Sequence, residues 1–279
     1  SGANDLAIAD LNGDGKLDLA VADFGGGVSV LLGNGAGAFG APTNFAAGVE
    51  PAGVGVADFN SDGIPDLAVA NQLSGNVSVL LGTGGGNFGA PTNFAAGTLP
   101  TSLLTADFNN DGKADIAVTA QNSNQVIILL GNGSGGFASA PAATGAAPQQ
   151  VATGDLNGDG ILDLVTSNFG GTVSVLIGNG SGGFGPPTNL PTLFGTEGVA
   201  IGDFNADGKL DIATVNNASS TVSVLLGNGN GTFAPHQDFF LPEGQPQWLT
   251  LGDFNRDGGL DAAVSDSQKN WVALLLNNG

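Results

Sequence analysis

Apolar and polar positions alternate along this chain in short runs. From Ala52 to Asp58, Val54 and Val56 alternate with small residues; Leu67-Ala68-Val69-Ala70 follows, and then Val77-Ser78-Val79-Leu80-Leu81. A polar turn from Asn71 to Asn76 separates the last two runs, and a Gly-rich turn leads on to Phe88-Gly89-Ala90-Pro91 and through Phe94 to Gly97. Short runs of β-branched or alternating residues, bounded by Gly, Asn, Ser and Pro, signal strands rather than helices. Both sets of alternate positions are apolar: Leu67 and Val69 point one way, Ala68 and Ala70 the other. A sheet with one wet face would carry polar residues in one of those sets. The pattern predicts sheets packed on both faces, with Ala leaving room for a neighbour's Leu or Val. The dipeptides Asn34-Gly35, Asn132-Gly133, Asn179-Gly180 and Asn228-Gly229 mark tight hairpins after the third strand of their units.

The same pattern returns six times, in units starting near residues 3, 51, 100, 148, 196 and 246. Its period is 48 to 50 residues, measured between Asp10, Asp58, Asp107, Asp155, Asp203 and Asp253. Four short strands per unit and no helical period predict an all-β fold: a six-bladed β-propeller of four-stranded blades, one repeat domain over residues 1–279. A parallel β-helix is the runner-up, but its coils are shorter and lack hairpin turns. The sixth unit has the first three strands and no Phe-Gly segment. Its blade is therefore expected to be three-stranded, or to be completed by another segment or chain. An unpaired edge is an association site, so self-association through the open last blade is one expectation.

Every unit carries D-x-N-x-D-G-x-x-D between its first two strands. In the first copy, Asp10, Asn12 and Asp14 at positions 1, 3 and 5 turn side-chain oxygens toward one centre. Gly15 permits the sharp turn, the backbone carbonyl of Lys16 faces inward at position 7, and Asp18 at position 9 closes the cage. The same five positions are Asp58, Asn60, Asp62, Ile64 and Asp66 in the second copy, and Asp107, Asn109, Asp111, Lys113 and Asp115 in the third. They are Asp155, Asn157, Asp159, Ile161 and Asp163 in the fourth, and Asp203, Asn205, Asp207, Lys209 and Asp211 in the fifth. The sixth copy supplies Asp253, Asn255, Asp257, Gly259 and Asp261. Position 7 varies freely, as it can where only the main chain matters. An all-oxygen donor set suits Ca2+, about one per repeat and six in total. An EF-hand is excluded, because position 12 is Val or Thr in every copy instead of Glu. Asx-type turns holding no metal are the competing reading. Against it, carboxylates within ~5 Å repel by roughly 3 kcal/mol at an effective dielectric of 20.

Charge supports the cation reading. The chain carries 25 acidic and 5 basic residues, a net charge of −20. Eighteen of the acids lie in the six loops, and six dications, adding twelve charges, would bring −20 to −8. Five scattered cations make no phosphate-tracking stripe, which argues against nucleic acid. No apolar run approaches a membrane span, so membrane insertion is not expected. With no Cys, disulfide and thiolate chemistry are absent. The chain opens Ser1-Gly2-Ala3 and contains no Met, as expected of an excised or processed form.

The combination of this loop with Phe39-Gly40-Ala41-Pro42 and Phe88-Gly89-Ala90-Pro91 resembles the FG-GAP repeats of integrin α-chain propellers and the bacterial VCBS-type repeats. Variants stand at Phe137-Ala138, Phe184-Gly185-Pro186-Pro187 and Phe233-Ala234-Pro235. The resemblance implies a propeller with calcium loops on one face and ligands on the other, formed by the strand 2–3 and strand 4–1 connections. Those connections include Gln72 to Asn76, Asn122 to Gln125, Glu197 and Glu243 to Trp248, and are short and rich in amides and hydroxyls. They suit carbohydrate or an extracellular protein better than a deep small-molecule pocket.

Sites with the affinity of extracellular calcium modules, about 10⁻⁴ to 10⁻³ M, are useful only in calcium-rich surroundings, so the protein is expected outside the cell, secreted or at the cell surface. The expected function is a non-enzymatic binding or adhesion module. A structural subunit of an extracellular assembly or fibre, and a polysaccharide-binding or lyase domain, are the alternatives. His236 with Asp238 lacks a neighbouring nucleophile in the sequence. Trp248 and Trp271 either present stacking surface or plug space within the sixth unit. Five N-x-S/T sequons, at Asn76, Asn132, Asn179, Asn217 and Asn230, are unremarkable in so Asn- and Gly-rich a chain.

Overall fold

The computed structural model describes residues 2–242 and 244–277. It is all-β apart from two single-turn 3-10 segments, Gln121–Ser123 and Asn217–Ser219. Among the described residues six antiparallel blade sheets follow one another, five of four strands and the last of three, with a two-stranded ribbon of Gly82–Gly84 and Asn87–Phe88 within the second repeat. The all-β, six-bladed propeller expectation is met.

The chain divides into two compact units, residues 1–142 and 143–279. In the first, blade 1 comprises Ala3–Ala9, Asp18–Asp23, Val28–Leu31 and Thr43–Phe45; blade 2 comprises Pro51–Ala57, Asp66–Asn71, Asn76–Leu80 and Thr92–Ala95. Blade 3 comprises Pro100–Ala106, Asp115–Ala120, Gln125–Gly131 and Phe137–Ala143. In the second unit, blade 4 comprises Pro148–Gly154, Asp163–Asn168, Thr172–Leu176 and Thr188–Pro191. Blade 5 comprises Thr196–Gly202, Asp211–Asn216, Thr221–Leu225 and Gln237–Phe240, and blade 6 Pro246–Gly252, Asp261–Asp266 and Val272–Leu275.

The two-sided apolar pattern does the packing. Leu67 and Val69 join a cluster with Ala20, Ala22, Val28 and Val30 of blade 1. Ala68 and Ala70 face the other way, into a cluster with Ile116, Val118 and Leu129 of blade 3. Blades 4, 5 and 6 repeat this arrangement in the second unit. A polar ladder also crosses the sheets. Asn71 Nδ2 donates to Ser78 Oγ at 2.9 Å, and Ser78 Oγ to Asn93 Oδ1 at 2.7 Å. Asn168, Ser174 and Asn189 repeat it in blade 4, as do Asn216, Ser223 and Asp238 in blade 5. Buried polar atoms are thus paired, as a low-dielectric interior demands.

Two local expectations need correction. The Phe-Gly-Ala-Pro motif precedes the fourth strand instead of forming it. Phe39, Phe184 and Phe233 make isolated bridges to Gly33, Gly178 and Gly227, and the paired strands begin after the prolines, at Thr43 and Thr188, or at Gln237. Proline cannot donate to a ladder, so in these blades the strand starts beyond it, whereas in blade 3, with Phe137-Ala138, the fourth strand begins at Phe137 itself. The Asn-Gly turns are also longer than two residues. Asn34 N–H donates to Ala38 O at 3.0 Å, and Asn34 Oδ1 accepts the N–H groups of Ala36 and Ala38. The asparagine carboxamide, acting as a turn template, lengthens the loop.

Candidate metal centre

Each acidic loop joins the first strand of a blade to the second and is held by its own backbone. In the first copy, Asp10 Oδ1 accepts Gly13 N–H at 2.8 Å and Asp14 N–H at 3.1 Å, and Asp10 Oδ2 accepts Gly15 N–H at 2.7 Å. Asn12 Oδ1 takes Asp14 N–H at 2.8 Å, and Asp14 Oδ1 takes Lys16 N–H at 3.0 Å. The other five loops keep the position 1 to 6, 3 to 5 and 5 to 7 bonds. The backbone is left-handed at position 6, always Gly, and also at position 4, where Ser61, Asn110, Ala206 and Arg256 adopt φ of 60°, 57°, 56° and 64°. Gly13 and Gly158 take that conformation without strain and Asn110 tolerates it, whereas Ser61, Ala206 and Arg256 have no such preference. The sequence motif leaves position 4 unspecified, so this requirement was not visible in it.

Position 9 behaves differently from positions 1 and 5. Asp66 is fully buried; its Oδ2 accepts Phe59 N–H at 2.8 Å and its Oδ1 accepts Gly82 N–H at 2.7 Å. All six copies make this pair: Asp18 to Leu11 and Gly33, Asp115 to Phe108 and Gly131, Asp163 to Leu156 and Gly178, Asp211 to Phe204 and Gly227, Asp261 to Phe254 and Asn277. The side chain ties the loop to the exit of the third strand. Burial pushes the carboxyls of Asp66, Asp115 and Asp163 above the usual range, partly offset by those N–H bonds.

The position 5 carboxylates are exposed and find their own counter-groups. In copies 1, 3 and 5, Lys16, Lys113 and Lys209 reach Oδ2 of Asp14, Asp111 and Asp207 at 2.9, 3.2 and 2.9 Å. The hydrogen-bonded ammonium holds Asp14 and Asp207 below the usual carboxylate range. In copies 2, 4 and 6 the neighbouring amides of Asn60, Asn157 and Asn255 take that role, at 2.9, 2.9 and 2.8 Å. Among the described residues no three acidic or imidazole side chains are drawn together into a closed cage. The donors are nevertheless of one kind, carboxylate, carboxamide and peptide oxygens with lone pairs left over, which fits a hard divalent cation. Positions 1, 3, 5 and 7 lie toward the mouth of the loop and would hold it, with the buried position 9 carboxylate beneath.

These loops recur with the repeat itself. A model of the FG-GAP-like repeat matches residues 10–69, 58–118, 107–166, 155–214 and 203–264, each match running from one acidic loop into the second strand of the next blade. The chain belongs to the FG-GAP-like repeat family. No curated protein matches this FG-GAP-like chain closely enough to name. Among solved structures, a lectin from Burkholderia pseudomallei is 16% identical, with a TM-score of 0.74 over 98% of this chain and 81% of that one. BBS1N, solved in complex with ARL6DN, is 13% identical with a TM-score of 0.66, covering 99% of this chain and 83% of its own. Virginiamycin B lyase from Staphylococcus aureus is 14% identical with a TM-score of 0.64, covering 99% and 85%. At such identities the likeness extends to the fold.

The remaining candidates fall into place around this FG-GAP-like frame. Trp271 packs on the core shared by blades 5 and 6, and Trp248 is half-buried on the first strand of blade 6. His236 Nδ1 lies 2.8 Å from Asp238 Oδ1, and Ser223 Oγ donates to the same Asp238 oxygen at 2.6 Å. A serine is therefore near, contrary to the sequence expectation, but it is buried and bonded to the aspartate, the reverse of an activated nucleophile. Glu197, on the first strand of blade 5, is pushed up to about 7 by burial. Glu243, expected on the ligand face, lies outside the described residues.

Proposed function

We propose that this protein is a calcium-stapled binding module working outside the cell, secreted or on its surface, in adhesion to carbohydrate or another protein, without catalysing a reaction. The observation that carries the reading is the sixfold loop. The same oxygen donors stand in the same backbone frame in every blade, and the position 9 carboxylate connects each loop to its sheet. A bound Ca2+ would supply positive charge to the three carboxylates of each loop. Sites of extracellular affinity, about 10⁻⁴ to 10⁻³ M, would each add on the order of 0.4 to 1.4 kcal/mol in roughly millimolar calcium. A lectin and a protein-bound propeller among the fold neighbours are in keeping with a carbohydrate or protein partner.

Elemental analysis of the purified protein, with melts in calcium and in EGTA, tests this. Calcium should be bound, and EGTA should lower the transition by about 10 °C or more. An unchanged melt from metal-free protein sinks the reading. A structural subunit of an extracellular assembly is the second reading, favoured by the unpaired outer edge of Val272–Leu275 among the described residues. The lyase reading needs a base beside clustered cations, and a uronate polymer panel yielding unsaturated sugar ends would revive it.

A further inference from the structure

The chain has five basic residues, and four of them stand inside the acidic loops: Lys16, Lys113 and Lys209 at position 7 and Arg256 at position 4. Every loop has three aspartates, so the first, third, fifth and sixth copies carry a formal charge of −2, three carboxylates against one cation. The second and fourth copies, with Ile64 and Ile161 at position 7, hold no basic residue and carry −3. Each compact unit, residues 1–142 and 143–279, thus contains one loop of full charge.

The three lysines are placed by packing as well as by charge. Their aliphatic stems lie over the glycine of the Asn-Gly turn that follows the third strand. A Cβ on Gly35 would stand 3.0 Å from Lys16 Cδ, and one on Gly133 or Gly229 would stand 2.9 or 3.0 Å from Cδ of Lys113 or Lys209. With the stem held there, the ammonium reaches the position 5 carboxylate, at 2.9 Å from Asp14, 3.2 Å from Asp111 and 2.9 Å from Asp207. In the fourth copy Ile161 takes the place of the stem, its Cδ1 3.2 Å from where a Cβ on Gly180 would lie. It fills the same space and brings no charge. Oδ2 of Asp62 and of Asp159 then accepts from the neutral carboxamide of Asn60 or Asn157, at 2.9 Å in both copies.

We infer that the six loops form two affinity classes for Ca2+: the second and fourth copies fill first, and the copies bearing Lys or Arg fill later. A cation at the mouth of a lysine copy has to share the position 5 carboxylate with an ammonium or displace it. Displacement does not remove the cost, because the packed stem keeps the ammonium near the loop. At ~5 Å, a dication and an ammonium repel enough, after screening by solvent and salt, to weaken binding about fivefold. A carboxamide carries no net charge and imposes no such penalty. At intermediate calcium the protein would therefore hold one ion in each compact unit, and the remaining loops would respond only to a further rise. The inference rests on the calcium reading and adds to it an order of filling, set by this chain's own basic residues.

Titration of the whole protein with CaCl2 at low salt, read by calorimetry and by native mass spectrometry, tests it. Two ions should bind first, with the other four following about fivefold more weakly. Lys113 also lines the cleft between the second and third loops with Asp58 and Gly63, so Lys16 is the cleaner position to change. Lys16→Ile should raise the early class to three ions, and Ile161→Lys should lower it to one. Lys16→Arg, which keeps the charge, should leave it at two; a gain there would assign the effect to packing and overturn the inference. Concentrated KCl should draw the two classes together. Melts in chelator verify that each variant is folded, and Lys16→Ile decides alone if Ile161→Lys is not. Six equivalent sites, or an early class that Lys16→Ile leaves unchanged, overturn the inference while the calcium reading stands. Protein that binds no calcium at all sinks both.

Discussion

Asp58 and Asp66 belong to one loop, eight residues apart, yet meet different surroundings. Asp58 is half-buried at the mouth and accepts loop N–H groups from Asp62 and Gly63 that solvent can also reach. Asp66 is fully buried, and its two oxygens satisfy Phe59 and Gly82, groups with no route to water. Both carry the same charge in the same motif. What separates them is the cost of removal: water can replace an exposed acceptor, while a buried donor left alone pays its full desolvation. The motif therefore combines a structural staple with a solvent-facing rim of oxygens.

The sharpest way to break this comparison is to truncate each in turn. Asp66→Ala strands two buried N–H groups and should cost about 3 kcal/mol, whereas Asp58→Ala in chelator should cost about 1 kcal/mol. Urea midpoints of the two variants at constant slope decide it. Equal losses would mean that position 9 is no more structural than position 1. In calcium the gap should narrow, because Asp58→Ala then also forfeits the linked stabilisation of its own loop.

Much of this was legible in the chain. Leu67 and Ala68 announce a sheet packed on both faces, and the Asp-Asn-Asp-Gly spacing announces the loop, since each follows from period and local geometry. The division of labour between Asp58 and Asp66 was not legible, because the partner that distinguishes them, Gly82, lies sixteen residues downstream and is met only after the hairpin forms. The strained position 4 escaped notice for a related reason. Ala206 and Arg256 have no local preference for left-handed backbone and adopt it because the surrounding bonds enforce it. The start of the fourth strand is not legible either: it lies beyond the motif proline in blades 1, 4 and 5, but takes in Phe137 in blade 3, and strand periodicity does not distinguish the two.

Glu197 sharpens the comparison from the opposite side. Like Asp66 it is withdrawn from water, but among the described residues no hydrogen bond reaches its carboxylate, and burial alone pushes it up to about 7. A carboxyl whose folded value is raised favours the folded state once protonated. Stability from this group should therefore rise as pH falls from above 7 toward 4.5, its ordinary value, and level off below. Glu197→Gln should melt about 2 °C higher than the parent at alkaline pH, with the difference vanishing near pH 5. Calorimetry at both ends of that range is the check; a gap of equal size at the acid end would show that packing, not charge, is responsible.

The smallest effect belongs to the most conspicuous ion pairs. Lys113 reaches Asp111 at 3.2 Å, but both side chains are well exposed, and solvent screens such pairs almost completely. Copies 2 and 4 show the substitute already in use, with Ile64 or Ile161 at position 7 and an asparagine amide on the same carboxylate oxygen. In chelator, Lys113→Ile should leave the melt within experimental error of the parent. In calcium the same change should tighten the third loop for the cation, because a resident positive charge no longer shares Asp111 with it. A clear loss of stability in chelator would place the lysine with the staples, and the line drawn between rim and base of the loop would have to move.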